Sequence, residues 1–281
     1  MIAPYTAGGP ADKTTRAVAP YLEEEFGVDV KVENIPGASG ALGQQEMMQK
    51  PADGLTVQLV ASTSMAVVPK AEDVGYTLDD VAFVSAVAEF PYLLASNSSA
   101  NLDTKAFFEK AESEGVRVGV PGAQSQGAIE LKRLQKAHGL KITVVPFDGN
   151  ADANTALLGK NVDAVFEVAS DDVRGYIDSG DFTAVAIDST GPSDYLEGVP
   201  TFESLGYDGI NLGTSYYGLG VHKDTDPEVV DIYEEKIEDA LKDETVQKRI
   251  GADYVPSEFI DGDKLKELFT EQADAYKPFL G

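Results

Sequence analysis

Along the first third of the chain, short apolar runs alternate with stretches whose apolar residues recur every three or four positions. That is the pattern of a mostly parallel sheet covered by helices. Residues 1–4 read as the end of a strand, and Thr14, Ala17, Val18, Tyr21 and Leu22 then fall at helical spacing. Pro20 predicts a kink or an early end of that helix near Ala19, because proline removes a helical hydrogen bond and clashes one turn back. Alternation over 28–32 predicts the next strand; the prolines and glycines of 34–40 predict a loop, 41–49 a helix and 55–61 a further strand. This last strand runs into Ser62-Thr63-Ser64, three hydroxyls placed either to cap a helix or to meet a ligand.

From about Asn97 a second series begins, with helices over 104–114, 127–137 and 151–158 and strands over 116–120, 142–145 and 162–168. A glycine-rich stretch, 206–213, precedes a strand over 216–221, and three helical segments close the chain. The last is the clearest, with Leu265, Leu268, Phe269, Gln272, Ala273 and Tyr276 on one face. The pattern predicts an α/β fold, and the series that begins near Asn97 is long enough for a second domain.

The 48 acidic and 22 basic residues leave a formal charge of -26, spread along the whole chain. Such a balance excludes nucleic acid as a partner, since phosphate binding needs a basic footprint. It suits a surface solvated in molar salt, where counterions screen self-repulsion, and points to a halophilic source. There is no cysteine, so disulfides and thiol chemistry are excluded, and only His138 and His222 could serve a zinc site or a triad.

Two glycine-rich turns carry the candidate chemistry: Tyr5-Thr6-Ala7-Gly8-Gly9 followed by Asp12, and Gly122-Ala123-Gln124-Ser125-Gln126. Each precedes a predicted helix, whose unpaired first-turn N–H groups and positive dipole end can hold a carboxylate without any arginine. Neither turn has the spacing of a nucleotide fingerprint. Ala123-Gln124-Ser125-Gln126-Gly127 resembles a degenerate nucleophile elbow, so a serine hydrolase acting through Ser125 is the competing class. Asp148-Gly149-Asn150-Ala151-Asp152 imitates a calcium loop but lacks its glycine and its bidentate glutamate.

Further stretches complete an ordered series: Gly8-Gly9-Pro10; Val32-Glu33-Asn34 with Pro36-Gly37-Ala38; Pro51-Ala52-Asp53-Gly54; Val145-Pro146-Phe147; Leu157-Leu158-Gly159 with Val162-Asp163; Val199-Pro200-Thr201-Phe202; and Tyr217-Gly218-Leu219. In this series the chain resembles the extracytoplasmic solute receptors of tripartite tricarboxylate transporters, the Bug or TctC family. The resemblance implies a periplasmic-binding-protein-like fold of type II, a Venus flytrap of two α/β domains, 1–97 together with 221–281, and 98–220, each a mixed sheet flanked by helices, with a ligand cleft between them. It implies a receptor without catalysis, cofactor or metal. Such a receptor captures a small organic carboxylate as a monomer outside the cytoplasm, periplasmic or anchored at the cell surface, for membrane transporter subunits. On this reading the leader sequence is absent from the chain.

Carried over by position, Tyr5, Thr6, Ala7, Gly8 and Gly9 would bind the proximal carboxylate while Asp12 caps or orders the turn. Ser62 and Thr63 would add hydroxyls, Gly122, Ala123, Gln124, Ser125 and Gln126 would grip the distal end, and Asp148, Gly149 and Glu167 would lie at the following loops. The glycines are expected to take positive φ in tight turns. Gln126 stands where the family often has histidine, and Tyr216-Tyr217 where tryptophan is common. Glu167 would accept from an amine or hydroxyl and repel a second carboxylate. The resemblance favours a di- or hydroxy-carboxylate, with acidic amino acids and aromatic acids as alternatives, and a sensor subunit would use the same closure.

Overall fold

The computed structural model describes residues 1–188, 196–207 and 214–279. The chain forms two compact units, Met1–Glu89 with Tyr216–Gly281, and Phe90–Ser215.

The first unit is built on a sheet of order β2-β1-β3-β10-β4, from β1 (Ile2–Ala3), β2 (Glu33–Asn34), β3 (Gln58–Ala61), β4 (Val81–Phe90) and β10 (Ser215–His222). β1 is parallel to β2 and β3, and β10 runs antiparallel to β3, so the sheet is mixed. Helix α1 (Pro10–Phe26) starts with proline in its first turn, where the missing N–H costs nothing, and stops at Gly27 in the left-handed region, φ 63°. It continues through Pro20 to Phe26, against the early end expected near Ala19. The reason lies in its faces: Thr14, Ala17, Val18 and Leu22 continue the buried stripe past the proline, whose own ring is on the exposed side.

The strand expected over 28–32 is displaced to Glu33–Asn34. Its ladder to β1 covers only Ile2↔Glu33 and Ala3↔Asn34, and Val28, 52% exposed, has no sheet face to cover it. Likewise β3 begins at Gln58, three residues later than expected, with Leu55 80% exposed. Helix α2 (Ala41–Met48) and the short α3 (Val68–Ala71) flank the sheet, and the C-terminal part supplies α8 (Pro227–Ala240), α9 (Glu244–Ile250) and α10 (Gly262–Tyr276). The stripe of α10 buries Leu265, Phe269, Ala273 and Tyr276. Its approach to the sheet is close enough that a Cβ on Gly218 would collide with the Leu265 side chain.

The second unit has sheet order β7-β6-β8-β5-β9. Its strands are β5 (Tyr92–Asn97), β6 (Val116–Val120), β7 (Ile142–Pro146), β8 (Ala164–Val168) and β9 (Phe182–Asp188). The helices are α4 (Thr104–Ser113), α5 (Gln126–His138), α6 (Asn150–Leu158) and α7 (Asp171–Asp178). β6 is parallel to β7 and β8, whereas β5 is antiparallel to β8 and β9. The division read from sequence leaves 92–97 with the first domain; here β5 sits inside the second sheet, and the chain returns at Tyr216. The strand β9 and helix α7 have no counterpart in the sequence reading. Part of the glycine-rich stretch 206–213 lies outside the described residues.

The two faces of β8 differ. Val165 packs with Leu93, Ala153, Leu157 and Val173 in one core, while Phe166 meets Tyr92 and Phe202 on the other side, both at 5.5 Å between ring centroids. Alternation therefore puts Glu167 on the face that carries α6.

Candidate functional site

Because β1 and β3 are parallel neighbours, the turns that follow them open at the same end of the first sheet. After β1 the chain passes through Tyr5, Thr6, Ala7, Gly8 and Gly9 into α1. Gly8 takes φ 86°, which glycine alone adopts without strain. The positive φ expected of the turn glycines holds there and at Gly122, φ 122°, but not at Gly9, extended at φ -84°, nor at Gly149, φ 179°.

Asp12 orders the turn through a closed set of bonds. Its Oδ2 accepts from the Gly8 N–H at 2.9 Å, and its Oδ1 accepts from Asn34 Nδ2 at 2.9 Å and Arg16 Nε at 2.8 Å. Asn34 Nδ2 also donates to the Tyr5 carbonyl at 3.1 Å, and its Oδ1 accepts from Arg16 Nη2 at 3.1 Å. The Gly8 N–H is thus engaged internally and is not presented to a ligand. The first helical bond is Lys13 N–H to Gly9 carbonyl at 3.0 Å, so the Ala11 and Asp12 amides stand ahead of the ladder. In the turn that leads into this helix, Thr6 Oγ1 is buried with no hydrogen-bond partner. The Tyr5 hydroxyl donates to the Ser39 carbonyl at 3.2 Å, bracing a left-handed segment in which Gly37, Ala38, Ser39 and Gly40 all have positive φ.

At the end of β3, Ser62 Oγ accepts from the Tyr216 N–H at 2.9 Å and makes no cap bond. It joins β3 to β10, and Thr63 beside it is 6% exposed.

In the second unit the three parallel strands bring the turns after β6 and β7 and the end of β8 to one end of the sheet. The Gly122 N–H donates to the Val120 carbonyl at 2.9 Å, and Gly122 accepts from the Ser125 N–H at 3.2 Å. Ala123 is exposed and Gln124 half-buried. Ser125 Oγ accepts from the Ala128 N–H at 3.1 Å, the bond of an N-cap, and its backbone is extended at φ -67°, ψ 155°. Against the hydrolase reading of Ser125, its hydroxyl is engaged as the N-cap of α5. Gln126, fully buried, accepts from the Tyr92 hydroxyl at 3.4 Å.

Asp148 is exposed, and Gly149 is the N-cap position of α6. Glu167 is wholly buried. Burial pushes its pKa up to about 8, while hydrogen bonding with the side-chain amides of Asn154 and Asn150 draws it the other way. Asn150 and Asn154 are the functional candidates that sequence reading missed; their signal was an i,i+4 amide pair on one helix face. A second buried acid, Glu130 on α5, is pushed up to about 7 by burial, offset by Arg133 at 2.6 Å and reinforced by Asp188. Among the described residues, no group of three His, Asp or Glu side chains is placed to hold a metal ion.

Two glycine turns, each opening a helix at the carboxyl end of parallel strands, form the frame against which the comparisons with known proteins stand. The family model described as tripartite tricarboxylate transporter family receptor (TctC) matches residues 14–279. The chain belongs to this family. The TctC match begins just after the Tyr5–Gly9 turn. Protein BugT of Bordetella pertussis is 30% identical over 258 residues, covering 90% of this chain and 78% of BugT. A solved periplasmic transporter has a TM-score of 0.90 at 27% identity, over 98% of this chain and 93% of the other. MatC from Rhodopseudomonas palustris, solved with bound malate, has a TM-score of 0.90 at 22% identity, over 100% of this chain and 97% of its own. The TctC chain is a solute-binding receptor of the periplasmic type, extracytoplasmic and not an enzyme, and its family works with membrane transporter components.

Proposed function

We propose that this receptor, acting as a monomer, captures a small organic carboxylate carrying a second polar group, a di- or hydroxy-carboxylate or an amino acid, and presents it to the membrane subunits of a tripartite transporter. The observation that carries this reading is the buried, unpartnered Thr6 hydroxyl beside the first turn of α1, where amides stand ahead of the helical ladder. Short directional bonds of this kind keep their strength in high salt, where long-range attraction is screened.

Thermal unfolding in molar KCl against a panel of mono-, di- and tricarboxylates, amino acids and aromatic acids tests the proposal, since a ligand of the native state raises the midpoint. One class should raise it selectively. Gly9→Val, whose side chain would enter the turn, should abolish that shift while leaving the ligand-free midpoint within a few degrees. A panel without any shift overturns the reading.

A further inference from the structure

Spread along the chain as they are, the acidic residues leave one segment of the folded surface bare. They make up 48 of the 281 residues, yet from Gly115 to Phe147, through β6, α5 and β7, the sequence has a single one, Glu130. Glu130 is buried and tied to Arg133 at 2.6 Å, so this segment shows no carboxylate to solvent. It does show cations: Arg117, Lys132, Lys136 and Lys141 are all exposed. Lys132 and Lys136 have no ion-pair partner among the described residues, and the Lys141 ammonium donates to a backbone carbonyl, that of Ser113, at 2.6 Å.

β6 and β7 are parallel and begin at Val116 and Ile142, while α5 ends at His138, so Arg117, Lys136 and Lys141 gather at the end of the second sheet away from its glycine turn. An open groove of about 570 Å³ lies there, with Lys110, Glu114, Arg117, Gln135, Lys141 and Asp163 in its lining. The Asp163 carboxylate is already answered, by Lys110 Nζ at 3.0 Å and by the Arg117 N–H and Nε at 2.7 and 3.4 Å. Glu114 is exposed. Gln135 ties α5 to the groove by donating to the Ile142 carbonyl, with Lys136 next to it and Lys132 one turn before.

Exposed cations without carboxylate partners, on a chain of formal charge -26, are placed to meet carboxylates from outside. We propose that this groove and the adjoining face of α5 dock an acid-rich extended segment of a partner protein. The spacing fits. Lys132 and Lys136 are one helical turn apart, about 6 Å along the axis, and alternate side chains of an extended strand stand about 6.6 Å apart on one side. Glutamates at every second position would therefore meet successive cations. A lipid bilayer fits less well, because a flat anionic surface also faces the acids of the surrounding protein and is repelled by them, whereas a narrow segment reaches the groove alone. In molar salt the Debye length is about 3 Å, so such pairing acts at contact and depends on the fit of the groove. Docking at this end leaves the turn that opens α5 uncovered.

The probe is a fluorescein-labelled peptide of ten glutamates, followed by anisotropy from 0.1 to 1 M KCl, with phosphatidylglycerol vesicles as the competing surface. The peptide should bind despite the like sign of the net charges, and more weakly as salt rises. Replacing three lysines together, Lys132→Gln, Lys136→Gln and Lys141→Gln, should weaken binding about tenfold, as expected for the loss of three exposed pairs. Arginine at the same three positions should keep it. The charge-matched control, Lys242→Gln, Lys264→Gln and Lys266→Gln, removes lysines that pair with acids in the first unit and should leave peptide binding unchanged. In the unaltered protein the peptide should slow amide exchange over 132–143, and this decides the matter if the glutamine variant folds poorly. No binding of the peptide, an equal loss in the control, or protection confined to other segments overturns the proposal. So does vesicle binding that depends on the same three lysines, which would assign the face to lipid. Thermal shifts with carboxylates should be the same in every variant, so the receptor reading stands or falls apart from this one.

Discussion

Replacing Glu167 by glutamine should make the ligand-free protein more stable at neutral pH, and by an amount that depends on pH. In the unfolded chain the carboxyl titrates near 4.5, whereas in the folded protein burial raises it to about 8. Between these values the native state holds a proton that the unfolded state has lost, so stability falls by about 1.4 kcal/mol per pH unit. At pH 7 the cost is about 3 kcal/mol; below the unfolded value it vanishes, and above pH 8 it levels off. Glutamine has nearly the same shape and no proton to lose, so the difference between the two proteins isolates this group from Glu130 and the other acids. Urea unfolding at pH 5, 6, 7 and 8 in fixed salt measures it. The two proteins should differ by about 1 kcal/mol at pH 5 and by about 3 kcal/mol at pH 7. A constant gap across that range would mean that the carboxyl is already ionised and paired in the native state, and would refute the argument.

Asp12→Ala removes the acceptor for Gly8 N–H, Asn34 and Arg16; it should cost about 2 kcal/mol in denaturant unfolding and weaken carboxylate binding about tenfold or more. Gly218→Ala puts a Cβ 2.6 Å from the Ser85 carbonyl oxygen and into the Leu265 side chain, so α10 must move and stability should drop by about 1–3 kcal/mol, read from the shift in denaturation midpoint. Ser125→Ala should lose the α5 cap, about 1 kcal/mol, with no ester turnover in either protein. With a formal charge of -26, the unfolding midpoint should climb between 0.1 and 2 M KCl as self-repulsion is screened; an unchanged midpoint would argue against a salt-adapted surface.

The elements that sequence made legible are those whose pattern is complete within themselves. β6 and α10 announce their buried residues by period alone. Where a partner decides the outcome, local pattern fails. The alternating 28–32 segment has no ladder to join, because β1 pairs only at Glu33 and Asn34. Pro20 is carried by a helix whose buried face outlasts it. The strands β4 and β5 form one apolar run in sequence, and only pairing shows that they belong to different sheets. The candidate site divides the same way. Both glycine turns could be found from their spacing, since a helix start with glycine needs no distant residue. Asn34, which completes the Asp12 network, and the amides facing Glu167 come from other parts of the chain and become visible only once the strands are in register.

The network around Asp12 has a kinetic meaning. Both hydrogens and the oxygen of the Asn34 amide are engaged, and Asp12 holds Gly8 and Arg16 together with it. A turn locked in this way before any ligand arrives has little ordering left to do on encounter. The rate of capture is then governed by diffusion and by the repulsion between an anion and an acidic surface, while differences among ligands are expressed in how long each remains bound.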